Sequence, residues 1–455
     1  MPRAAVRLVL LWLAGTDLRL TLLAVPPVLP LIHRDLSLDE KGVAALSGLP
    51  VLLFGVVAVP GSVLIARLGA RRALIVALWL IGLSSALRGL GPSVPMLFAM
   101  TLLMGAGIAI CQPTMPALVR QWFPHSPGRA TGFWSNGLLV GELLSASFTL
   151  PLVLPLLGSW EASFLVWSLP VLVTAVLVAL ATPHERTDVG YAPASGIPNF
   201  RSRRLWQLGL LQASASLVYF GGNTFIPDYL HATNQPELVG PALATLNTAQ
   251  VPASIVIGLV PLRILARPWV SIAVAGAIGA SLLAVLVLPG VPTVAAAGVF
   301  GFCAAYILVL TFILPTSLAA PSDVARMSAG AFAISYSTAF LVTLLAGAAW
   351  DATHVASAAF LPVLLAMVLV LGLAPRLVGS AVGQGLRAVQ PEQQRYQDAY
   401  AVQKQPAVGR EGQAGDGHDD RQEQRHEKEL QAERRQAGGQ GHDGDRHARG
   451  RTASR

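Results

Sequence analysis

The stretch Arg7–Leu31 reads RLVLLWLAGTDLRLTLLAVPPVLPL, and it sets Thr16-Asp17-Leu18-Arg19 in the middle of an otherwise uncharged apolar run. At 1.5 Å of rise per residue, Arg19 lies roughly 18 Å from Arg7, near the middle of a hydrocarbon layer about 30 Å thick. An ionised side chain at that depth costs from about 3 to over 10 kcal/mol and persists where it faces a partner or a polar cavity. Asp17 and Arg19 are two residues apart, so on a helix they point to opposite sides and cannot neutralise each other. Each must look to a different neighbouring helix, and the run therefore predicts a bundle of spans rather than a lone anchor.

Composition agrees with a bundle. Of the 455 residues 53% are hydrophobic and 12% charged, and the mean hydropathy is +0.58, too apolar for an ordinary soluble protein. Up to Arg376 the chain carries 19 Lys and Arg against 12 Asp and Glu, and beyond it 13 against 12. The basic residues are parcelled among short loops rather than clustered on one solvated face, which excludes a nucleic-acid partner. Cys111 and Cys303 lie inside apolar runs and suggest neither a disulfide framework nor a metal site.

Runs long enough to span fall near residues 7–31, 43–66, 73–90, 94–118, 130–156 and 161–182, and again near 205–231, 239–262, 269–289, 291–316, 329–350 and 354–375. The expected architecture is thus all-α with twelve membrane-spanning helices: a six-helix bundle over 1–182, a central loop over 183–204, a second six-helix bundle over 205–376, and a polar tail over 377–455. The tail has almost nothing apolar to bury and reads as disordered. Fifteen basic loop residues, from Arg3 and Arg7 to Arg376, fall on one side, against Arg34, Lys41 and Arg88 on the other. Basic residues stay preferentially on the cytoplasmic side of short loops, so both termini are expected inside, in a plasma membrane of bacterial type.

The halves echo each other at an offset of about 200. Pro27 answers to Pro227, Val59-Pro60 with Arg67 to Val260-Pro261 with Arg267, and Arg19 to Tyr219. Parallel six-helix repeats place a binding site between the halves near the midplane.

Between the second and third spans runs GSVLIARLGARRAL, residues 61–74. This resembles the loop signature of the major facilitator superfamily, with Gly61, Arg67, Gly69, Arg71 and Arg72 in matching places and Ala66 where an Asp is common. In that family the loop's charges bind neighbouring helix ends and gate the cytoplasmic side. Asp17-Leu18-Arg19, Leu29-Pro30-Leu31-Ile32, Arg34-Asp35-Leu36, LPVLLFG at 49–55, PALVRQWFP at 116–124, ATGFW at 130–134 and Pro227-Asp228-Tyr229-Leu230 narrow the resemblance to the branch of cyanate permeases and nitroimidazole porters. Two departures change the charge of the expected cavity: Asp17 replaces the branch's usual Asn, and Glu142 stands where small apolar residues are usual.

The resemblance implies a carrier without covalent chemistry or cofactor, probing a small-molecule substrate in a cavity lined by the first, fourth, seventh and tenth spans. It implies a monomer embedded in the lipid bilayer, working by alternating access on a small anion or a nitroheterocycle or other drug-like compound, by uptake or efflux. The alternative, from another class, is a receptor or scaffold that keeps the fold without transporting. The residues expected at the substrate are Arg19, Tyr219, Tyr336, Gln112, Asn223 and Gln250. A guanidinium offers planar, multiple donors and stays charged, which suits an anionic or electron-rich group. Asp17 and Glu142 are expected as ion-pair or proton-coupling residues, Glu142 being preferred as the carrier of a coupling proton. No metal is expected.

Overall fold

Proline, glycine and left-handed turns punctuate an all-helical chain. The computed structural model describes residues 3–38, 40–90, 93–182 and 196–404, and among these there is no strand. The helices of the first half are α1 (Arg3–Leu20), α2 (Val25–Leu36), α3 (Glu40–Val56), α4 (Ala58–Leu68), α5 (Ala70–Leu90), α6 (Val94–Trp122), α7 (Pro127–Phe148), α8 (Leu154–Leu157) and α9 (Trp160–Ala181). Those of the second are α10 (Arg203–Ala232), α11 (Val239–Leu259), α12 (Leu262–Leu265), α13 (Pro268–Val287), α14 (Val291–Leu318), α15 (Val324–Thr353) and α16 (Leu361–Lys404). Unpaired backbone groups are costly in hydrocarbon, and helices satisfy theirs internally.

Ten helical stretches among the described residues are long and apolar enough to cross a membrane, and an eleventh is the pair around Val57, bent by 52°. The remaining expected span, 205–231, coincides with α10. That helix has 30 residues, about 45 Å at helical rise, but Gln212, Ser214, Ser216, Tyr219 and Asn223 dilute its apolar character. Large apolar side chains stand exposed around the bundle, among them Leu169, Leu180, Leu259, Leu283, Val291 and Leu345. A patch on that scale belongs against lipid.

The two halves pair their helices alike. In the first, α1 packs on α7, α5 on α6 and α9, and α3 and α4 on α6; in the second, α10 packs on α15, α13 on α14, and α11 on α14. Left-handed residues recur at equivalent ends, Ser37 answering Asn234 and Gly158 answering His354. The second half has its own apolar core, the main core of the first half runs on into Phe312, Phe332 and Tyr336 of the second, and α2 joins a third cluster with Leu97, Trp160 and Phe164.

Two expectations change. The loop pattern places Arg88 among the outer charges, yet it is 1% exposed, because α5 carries it inward to a carbonyl of the first span. The polar tail was expected from residue 377, yet α16 continues to Lys404, and Val378 and Ala381 are buried. With its amide oriented to satisfy both neighbours, Gln384 donates to the Ser317 carbonyl at 3.0 Å and accepts from Arg204 at 2.8 Å. The chain divides into a unit of Met1–Val389 and a second of Gln390–Arg455; the tail beyond 404 and the central-loop residues 183–195 lie outside the described residues.

Candidate functional site

The halves meet most closely toward the end of the bundle that carries the α6–α7 turn and the α11–α13 connection, called here the basic end. There α7 crosses α11 with Gly132 against Gly258, backbone to backbone, so that a Cβ on Gly132 would collide with Gly258. Further in, Asn136 of α7 donates to the Val251 carbonyl at 3.3 Å and to Ser254 at 3.2 Å on α11, while accepting from Trp12 at 3.0 Å. Trp134 stacks on Phe312 of α14, 4.9 Å between centroids. Phe312 meets Phe332, which stacks on Tyr336, which meets Phe54 of α3. An aromatic chain thus crosses the seam, and such ring pairs resist separation by about 0.5–1.5 kcal/mol each beyond their area.

Beside this seal lies a small cavity. Arg19 of α1, Leu138, Leu139 and Glu142 of α7, Ala215, Ser216, Tyr219 and Phe220 of α10, Gln250 of α11, Ala304 and Leu308 of α14 and Tyr336 of α15 line it. About 20 Å³ is open to the centre of a water molecule, room for about one water. Both charged groups come from the first half, and the second supplies phenols, an amide and apolar walls.

Arg19 is 8% exposed and sits in the last turn of α1, where the helix dipole favours a cation. Its guanidinium lies 5.9 Å from the centre of the Tyr219 ring. Its Nε has no partner, and among the described residues no carboxylate lies within ion-pair distance of it. Glu142 instead accepts a hydrogen bond from the Tyr219 hydroxyl, a contact that joins the halves. The Arg19–Glu142 ion pair, one of the two roles the sequence left open for Glu142, is not formed among the described residues, although both groups face the same cavity.

The other expected residues divide. Gln250 and Tyr336 line the cavity with Arg19, Tyr219 and Glu142. Gln112 stands behind, its amide donating to the Tyr336 hydroxyl at 3.3 Å; the fourth span thus backs the cavity rather than lining it, as the expectation had it. Asn223 lies one turn beyond Tyr219, donating to its carbonyl at 2.9 Å and accepting from Asn247 at 3.0 Å, whose own carbonyl oxygen accepts from Gln250 at 3.0 Å. This amide ladder climbs from the cavity away from the basic end. Asp17 does not reach the cavity: it is 1% exposed, faces Thr174 of α9, and leaves Oδ2 without a partner. The two-residue spacing from Arg19 accounts for this, since it turns the carboxylate into the first half.

In the expected gating loop, Gly69 takes φ +79 at the end of α4 with open space around it, a conformation that favours glycine. Arg71 ties α5 to the end of α9, donating to Thr182 at 2.6 Å and to the Ala179 carbonyl at 2.7 Å. Gly61 packs on Ile110 of α6, whereas Arg67 and Arg72 are exposed. Sequence reasoning missed Ser216, Phe220 and the two leucines of α7. Helical spacing offered a signal for all four, since Ser216 lies three residues before Tyr219, Phe220 three before Asn223, and Leu138 and Leu139 four and three before Glu142.

The description "Major Facilitator Superfamily" belongs to a family model that matches residues 10–347. The cyanate transport protein CynX of Escherichia coli (strain K12) is 29% identical over 214 residues, 47% of this chain and 53% of that one. The 2-nitroimidazole transporter of the same strain is 31% identical over 209 residues, 45% of this chain and 52% of that one. The chain thus spans about half the length of the curated relatives it matches. Among solved structures, the transporter FucP in its outward conformation superposes with a TM-score of 0.66 at 15% identity, over 82% of this chain and 99% of that one. The human organic anion transporter MFSD10 gives 0.66 at 14%, over 81% and 100%. These two share the fold.

Proposed function

The chain belongs to the Major Facilitator Superfamily, and on that premise we propose that it is a secondary active transporter moving a small solute across a bacterial-type inner membrane by alternating access. The observation that carries the reading is Arg19: a buried guanidinium without an ion-pair partner among the described residues, facing a cavity at the seam of the halves. Burying a cation costs several kcal/mol after relaxation; Glu142 shares the cavity but makes no direct ion pair with Arg19, and an incoming acceptor group in contact with the guanidinium offsets more of that cost. The solute is therefore one with a compact anionic or electron-rich end. Relatives named for cyanate and for 2-nitroimidazole both fit that description. A cavity that holds about one water must widen to admit either, which fits rocking of the halves.

Glu142 supplies the coupling. With Arg19 and Glu142 both ionised the cavity is neutral, and a monoanion would leave it with net negative charge in a low dielectric. Protonation of Glu142 removes that penalty, so anion and proton enter together. Glu142 serves this role better than Asp17 because it shares the cavity with Arg19.

Uptake and efflux of labelled cyanate, other small anions and nitroheterocycles, measured in both directions in cells with and without the gene, test the proposal. Counterflow in proteoliposomes is the second arm. A solute that exchanges through the wild type and not through Arg19→Gln supports the reading; binding without exchange marks a receptor instead.

A further inference from the structure

The first span is broken just beyond Arg19. α1 ends at Leu20 and α2 begins at Val25, with Pro26 and Pro27 in its first turn. Prolines have no N–H to give to the carbonyls four residues back, and the Val25 N–H turns to the Leu22 carbonyl at 3.4 Å. The Thr21 carbonyl thereby loses its helical donor. Arg88 of α5 takes its place, donating from Nη2 to the Thr21 carbonyl at 3.0 Å and to Ser85 at 3.1 Å, with its guanidinium 4.4 Å over the Phe164 ring.

Nothing else explains why a cation stands there. Arg88 is 1% exposed, its Nε and Nη1 have no partner, and no carboxylate among the described residues is within ion-pair distance. An apolar side chain would fill the same volume without the desolvation cost. A charge-assisted bond to the open C-terminal end of α1 is the return, since both the orphan carbonyl and the helix dipole favour a cation. The same side chain also touches the second of two separate cores: α1 packs in the main core of the first half, while α2 packs with Phe164 in its own cluster.

We infer that Arg88 is a positioning residue, whose guanidinium replaces the hydrogen bond lost at the break in the first span and so fixes the end of α1 that presents Arg19 to the cavity.

Hydrogen exchange on the full chain in lipid nanodiscs, without added solute, tests this. In Arg88→Gln the peptide covering residues 20–25 is expected to exchange about tenfold faster, since a hydrogen bond to a charged group is lost at a local opening. α5 and α6 keep their wild-type rates, and Arg88→Lys, which can still reach one carbonyl, recovers most of the protection. Unchanged exchange at 20–25, or an equal rise throughout the first half, overturns the inference. If the glutamine variant does not fold, Arg88→Lys against wild type supplies the comparison, with about a threefold rise expected at 20–25 alone. A transport arm rests on the proposed function: for a solute found by the uptake panel, Arg88→Gln raises KM about tenfold and changes the maximal rate less than about twofold. Absence of all transport would count against that function and leave the exchange result standing.

Discussion

Arg19 and Glu142 face one cavity without touching as an ion pair, and the carboxylate takes the Tyr219 hydroxyl. A guanidinium held this way keeps its donors for an incoming group, and a carboxylate held this way is placed to take a proton when that group is an anion. Glu142→Gln is therefore expected to abolish accumulation driven by a pH gradient while sparing solute exchange at equal pH on both sides. The pattern to watch for is loss of both, restored by Arg19→Gln, which would mark a structural pair. Tyr219→Phe removes the hydroxyl that joins the halves; it is expected to weaken the closed seam by about 1–3 kcal/mol, as for a hydrogen bond to a charged group, read as faster counterflow. Slower counterflow at unchanged expression would show instead that the phenol contacts the solute.

At the scale of elements, α7 uses glycine in two different ways. Gly137 and Gly141 let α7 lie against α1, their missing side chains leaving room for the Trp12 and Thr16 carbonyls, inside one half. Gly132 lets the same helix meet Gly258 of α11, across the seam. Gly141→Val should thus act on folding, lowering stability by about 1–3 kcal/mol by overpacking, seen as a lower thermal midpoint. Gly132→Val should act on conformation, wedging the basic end open. With Ser254→Cys as reporter, a residue fully buried on α11, maleimide labelling is expected to rise about tenfold in the Gly132 variant and to stay level in the Gly141 variant. Equal labelling in both would refute a seam that opens at α7 and α11.

For the molecule as a whole, orientation rests on charge. With Arg88 and Arg71 both buried, the outer basic loop residues fall from three to Arg34 and Lys41 and those on the other side from fifteen to fourteen, so the asymmetry still favours cytoplasmic termini. Single cysteines replacing Asp188 or Asp351, in a background lacking Cys111 and Cys303, are expected to differ in intact cells: an impermeant reagent should label the second position and spare the first. The opposite result would invert the protein in the membrane. Truncation belongs to the same scale. The last described side-chain contact in α16 is that of Gln384 with Ser317 and Arg204, so a chain ending just after it is expected to insert and transport at near wild-type levels. Loss of insertion in that variant would give the tail a structural task.

What depends on local pattern was legible in the order of the residues. Run length and hydropathy placed the spans, because hydrocarbon demands about 20 apolar residues per crossing, and the offset between Arg19 and Tyr219 placed the seam, because a repeat folds twice in the same way. Charge at depth singled out Arg19 and Glu142 for the physical reason that burial makes charge costly. The tertiary structure alone decided partners, since these join residues more than seventy positions apart: Glu142 to Tyr219 instead of Arg19, Gln112 behind Tyr336, Asp17 turned inward toward α9. It also decided Arg88, read from the sequence as a loop charge at the end of a span. Its role depends on a carbonyl left open where the Val25 N–H turns to Leu22 at the break in the first span, and a backbone acceptor carries no mark in the sequence until the break that exposes it has been packed against something.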